Sequence, residues 1–66
     1  MITITVNDET LNVDEQITVE RLLETRGFPD KGIAVALDAT VLPRSQWDRA
    51  LADGARVEVV TAVQGG

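Results

Sequence analysis

Ile2, Ile4 and Val6 alternate with Thr3 and Thr5 at the start of the chain, a period of two that predicts a strand with one buried face. Asn7 and Asp8 mark a turn, as short polar residues commonly do. Leu11 and Val13 then resume the alternation, so the first fourteen residues read as a hairpin with its apolar side chains on one side. At Val19 the period changes. Val19, Leu22 and Leu23 stand at i, i+3 and i+4, which is the apolar stripe of a helix. Thr18 is placed as its N-cap, with Glu20 in the electropositive first turn. Ile17 precedes the cap where it can staple onto Leu22, and Gly27 supplies the left-handed residue that lets Phe28 fold back towards Leu23. Pro29 stops any continuation. A helix of about two turns is unstable alone because nucleation is costly, so it must dock on a sheet.

The alternation returns at Ile33, Val35 and Leu37, interleaved with Ala34 and Ala36. A turn at Asp38 and Ala39 leads into a short strand ending near Leu42, and Pro43 suits a strand end. Trp47 and Leu51 belong to a loop or single turn, Asp53 and Gly54 form another turn, and Val57 and Val59 alternate with Arg56 and Glu58 in a last strand. The element order is ββαβββ. One helix covering a mixed sheet is the economical way to bury these stripes, which predicts an α+β domain over residues 1–60 with one open sheet face. Residues 61–66 are read as a flexible tail. No internal repeat, low-complexity tract or linker interrupts the body.

Composition narrows the chemistry. The 66 residues include no Cys and no His, so the chain offers no disulfide, thiolate metal site, Cys nucleophile or imidazole base. A domain this small buries only about 60 % of the surface of its unfolded chain and has little room for a deep cleft. Apolar residues make up 44 % of the chain, yet no apolar run approaches the roughly 20 residues of a membrane span, and the start lacks a signal-peptide layout. A soluble, cytoplasmic protein is the expectation. Eleven acids against six bases give a net charge of −5, which argues against nucleic acid and for a basic protein partner or for solubility alone. The lone Trp47 suits one end of the small core better than an interface. Arg44, Arg49 and Arg56 read as solvated charge, and Asp53 as a turn former; Asp48 has no assigned role.

Two features carry functional expectations. Opposite the core stripe the sheet would present Thr3, Thr5, Ala34, Ala36 and Val60, a small, weakly polar surface that suits a protein partner or simply avoids aggregation. The chain then ends Thr-Ala-Val-Gln-Gly-Gly. Such an end is either a frayed terminus or added linker, or the terminus is itself the reactive group. A carboxylate on Gly66 has no Cβ beside it, so its oxygen can attack the α-phosphate of a nucleotide and the acyl carbon stays open to a nucleophile. Gln64, Gly65 and Gly66 could thread a channel too narrow for larger side chains. Ordering about six tail residues costs on the order of 6–12 kcal/mol, which only a docked body, with an interface of about 800 Å² on its side, could offset.

The stretches Ile33–Leu37, Val-Leu-Pro-Arg-Ser-Gln-Trp at 41–47, Leu-Ala-Asp-Gly at 51–54 and the ending Val-Glu-Val-Val-Thr-Ala-Val-Gln-Gly-Gly resemble the thiamine sulfur carrier family, ThiS, over the whole chain. Ala55 stands where many members carry an acid, and Gln64 where a third small residue is frequent. The resemblance implies a ubiquitin-like β-grasp fold and a carrier rather than an enzyme. It further implies an adenylating enzyme related to ubiquitin activators, which uses ATP and magnesium to convert the Gly66 carboxylate to an acyl-adenylate. A persulfide sulfur donor then gives a thiocarboxylate, and thiazole synthase takes the sulfur. No cofactor or metal is implied on the chain itself. Carriers for molybdopterin or cysteine synthesis, and protein-tagging modifiers, share the terminal chemistry. A non-covalent β-grasp binding module would share only the body.

Overall fold

The computed structural model describes residues 1–29 and 31–61. The alternating stretches form strands β1 (Ile2–Val6), β2 (Glu9–Val13), β3 (Ile33–Leu37), β4 (Thr40–Val41) and β5 (Arg56–Thr61), with helix α1 (Val19–Thr25) between β2 and β3. They pair into one five-stranded sheet in the order β2-β1-β5-β3-β4. β1 and β5 run parallel, and the other neighbours antiparallel. The last strand therefore enters the middle of the sheet. This is the β-grasp arrangement that the sequence resemblance implies.

Local signals set the element ends. Thr18 caps α1 through its Oγ1, which accepts from the Arg21 N–H at 3.1 Å. A second orphan donor of the first turn, the Glu20 N–H, reaches the Trp47 carbonyl at 3.0 Å. Gly27 adopts φ +79, and the Phe28 N–H returns to the Leu23 carbonyl at 2.9 Å, so the helix stops in the left-handed turn its sequence predicts. Both hairpin turns have positive φ at their two central residues, Asn7 and Asp8 in the first and Asp38 and Ala39 in the second. That geometry matches the twist of the flanking strands.

The core lies between the sheet and α1. Ile4, Val6, Val35, Val57 and Val59 from the sheet meet Val19, Leu22 and Leu23 from the helix, with Leu42, Trp47, Leu51 and Ala55 closing the cluster. No polar or charged residue is buried among the described residues. Apolar burial therefore carries the stability, as expected of a chain without disulfides. Trp47 caps the core with its indole N–H donating to the Leu42 carbonyl at 3.2 Å, and the Arg44 guanidinium lies 5.0 Å from the ring centroid.

Candidate functional site

On the side away from α1, cross-strand register brings Thr3 and Thr5 of β1, Arg56, Glu58 and Val60 of β5, Ala34 and Ala36 of β3 and Val41 of β4 onto one face, because directly opposed residues share a side of the pleat. The two halves of this face differ. Thr3 and Thr5 lie towards β2, where the Thr3 hydroxyl donates to Asn12 Oδ1 at 2.9 Å. Ala34 and Ala36 lie on the other side of β5, where with Val60 and Glu58 of β5 and Val41 of β4 they line a shallow depression of about 210 Å³. The structure thus brings three of the five sequence-selected residues together and sets the two threonines on the same face but outside the depression.

Val41 is the apolar residue that sequence reasoning missed. It is 74 % exposed, and Val60 is 63 % exposed. Placing Val41 required the Ala36–Val41 pairing across the second hairpin; the signal available was its position two residues past the Asp38–Ala39 turn. Two exposed valines flanking two alanines make an apolar strip at the β3–β4 edge, bordered by the Glu58 carboxylate. Arg56, also on this face, pairs with Asp8 Oδ1 at 3.3 Å. The strip can receive an apolar partner residue while Glu58 favours a basic group beside it.

β5 joins this face to the C-terminus. Its inward residues Val57 and Val59 are buried in the core, and it runs to Thr61, which pairs with Ile33. The turn before it is fixed by Asp53, whose Oδ1 accepts from the Thr3 N–H at 2.8 Å, and by the Gly54 N–H donating to the Thr3 carbonyl at 2.7 Å. Asp53 is therefore a turn former. Gln64, Gly65 and Gly66, the sequence-selected tail residues, lie outside the described residues. Among the described residues no cluster of His, Cys, Asp and Glu could hold a metal ion, and no helix is long and apolar enough to cross a membrane.

A family model described as the ThiS family matches residues 1–66. Among solved structures, the chain is similar to a crystal structure of the thiamine biosynthesis protein ThiS from Geobacter metallireducens, with 30 % identity and a TM-score of 0.81. The match covers 98 % of this chain and 100 % of that one. No curated protein sequence gives a significant match.

Proposed function

The chain belongs to the ThiS family, and from that premise we propose that it is a sulfur carrier of thiamine biosynthesis, a co-substrate whose reactive atom is the terminal carboxylate of Gly66. The observation that carries this reading is the path of β5, which passes from the buried Val57 and Val59 through Val60 of the exposed apolar strip to its end at Thr61. Docking of the strip and delivery of the tail are thereby coupled through one strand.

The chemistry proceeds on partner proteins. A Gly66 oxygen attacks the α-phosphorus of ATP held with magnesium by an adenylating enzyme related to ubiquitin activators; pyrophosphate leaves and an acyl-adenylate forms. The outer sulfur of a donor persulfide then attacks the acyl carbon and displaces AMP, leaving an acyl disulfide. A thiol cleaves its S–S bond, releasing the thiocarboxylate and a disulfide. The chain has no Cys, so persulfide and thiol both come from elsewhere. Thiazole synthase then receives the sulfur. What this chain supplies is a carboxylate unshielded by a Cβ, narrow residues Gly65 and Gly66 behind it, and a folded body that restricts delivery to proteins able to recognise it.

Intact mass spectrometry of protein isolated from thiamine-synthesising cells tests the proposal. A fraction should show one terminal oxygen replaced by sulfur. Only the carboxylate form in such cells would turn the reading to a non-covalent binding module.

The docking face carries its own prediction. Ala36 lies in the depression directly opposite Glu58, so Ala36→Lys places a bulky cation in the strip while gaining a cross-strand partner of opposite charge. The urea midpoint should stay close to the parent's. Affinity for the adenylating enzyme should fall about 10-fold or more, as for loss of a central interface contact. Calorimetric titration showing parent-like affinity would move the interface off this half of the sheet.

A further inference from the structure

β5 is longer than the strand beside it. β1 ends at Val6, and the chain turns away at Asn7 and Asp8, whose φ values are 49 and 71. Alternate residues of a strand send their N–H and C=O to opposite neighbours. On β5 the residues facing β1 include Val57, whose carbonyl accepts from the Asn7 N–H at 3.0 Å, after the Ala55 carbonyl has accepted from Thr5 at 2.9 Å. Val59 is the next residue on that edge, and β1 has no further backbone to offer it.

The Asn7 side chain takes that place. Its Oδ1 accepts from the Val59 N–H at 2.8 Å, and its Nδ2 donates to the Val59 carbonyl at 3.3 Å. One carboxamide thus replaces the next peptide unit of the ladder, supplying one donor and one acceptor to a partly buried site. Among residues that tolerate the left-handed turn, Asn meets both requirements. Asp offers only acceptors when ionised, and Gly offers no side chain. Beyond Val57, β5 is therefore held by β3 on one edge and by the Asn7 carboxamide on the other.

We propose that Asn7 is a positioning residue for the reaction at the C-terminus: its carboxamide fixes the end of β5 and so the point from which the following residues leave the body. The inference rests on the carrier reading above. Val59 lies two residues before the strand's end at Thr61, and Ala62 to Gly66 follow. If the end of β5 frays, each freed residue adds up to about 3.3–3.6 Å of reach and a new set of directions. A docked carrier would then present its carboxylate at variable distance from the nucleotide, where a misplacement near 1 Å can cost about a hundredfold.

Asn7→Gly and Asn7→Asp both retain a residue suited to the turn; Gly removes the clasp, whereas Asp keeps the acceptor for the Val59 N–H and loses only the donor to the Val59 carbonyl. Thr18→Ala is the comparison, since it removes the helix cap, on the other side of the core, at a similar expected loss of urea midpoint. Two readouts are needed for the full-length proteins. Amide hydrogen exchange by NMR should show Val59 exchanging at least about 10-fold faster in Asn7→Gly when normalised to Val35, less so in Asn7→Asp, and unchanged in Thr18→Ala by the same measure. In ATP–pyrophosphate exchange with the cognate adenylating enzyme, kcat should fall about 10-fold in Asn7→Gly and by less in Asn7→Asp, with KM for the carrier within about twofold. Thr18→Ala should keep the parent's kcat. Unchanged Val59 protection in Asn7→Gly overturns the clasp, and lost protection there with parental kcat overturns the positioning role alone. Absence of exchange with the parent protein would defeat the carrier reading and this inference together.

Discussion

Leu22→Ala is expected to remove most of the stability of the domain. Leu22 is 1 % exposed, in the core cluster that also holds Ile4, Val35 and Val57. Truncating a buried Leu to Ala costs about 2–5 kcal/mol through lost transfer energy and the residual cavity. A single small core supplies only about 3–5 kcal/mol in a chain of this length. The two quantities are comparable, so the variant should be substantially unfolded at 25 °C or melt at very low urea. Trp47, the lone Trp and 5 % exposed, provides a fluorescence signal for the melt. Glu20→Ala, on the exposed face of the same helix, should change stability by no more than about 0.5 kcal/mol. A parent-like melt for Leu22→Ala would contradict its burial.

The same contrast between local and distant causes explains how much of the fold is legible in the sequence. Strand positions follow from alternation, and the helix ends follow from Thr18 and Gly27, because each signal acts within a few residues of the structure it sets. Of the stripes that periodicity assigns to the core, Ile4, Leu22, Val35 and Val57 are all at most 2 % exposed, whereas Ile2, Leu11, Val13, Ile33 and Leu37 are only partly buried. Strand order is different. Placing β5 between β1 and β3, parallel to β1, depends on contacts across nearly the whole chain. Periodicity has no term for them; the family resemblance supplied the topology instead.

Side chains that stand in for backbone were equally hidden. Asn7 reads locally as a turn former, which it is, yet its carboxamide also bonds Val59, 52 residues away. Asp38 does the corresponding work at the other end of β5, its Oδ1 accepting from the Arg56 N–H at 3.0 Å while its own N–H donates to the Arg56 carbonyl at 2.8 Å. The first residue of each hairpin turn therefore clamps one end of the central strand. The candidate face divides along the same line. Its small residues were visible as the outward phase of two strands, whereas Val41 and the separation of Thr3 and Thr5 from the apolar strip depend on register.

Deleting Gly66 is expected to abolish adenylation while leaving docking intact. The deletion puts Gly65 at the end and shortens the reach by about 3.3–3.6 Å, several times the misplacement that costs about a hundredfold at a positioned reacting centre. The carboxylate persists but misses the α-phosphate. Adding one Ala after Gly66 should fail for the complementary reason, since the new carboxylate lies too far along and carries a methyl group beside it. Neither change touches the core, whose last member among the described residues is Val59, so both variants should match the parent's urea midpoint. Their affinity for the adenylating enzyme should remain within a few-fold if the β3–β4 strip provides most of the contact. ATP–pyrophosphate exchange measured beside that affinity separates the possibilities: binding without exchange ties the reaction to the carboxylate of Gly66, loss of both makes the tail itself the docking element, and full exchange by the truncated protein would leave Gly66 without a chemical role.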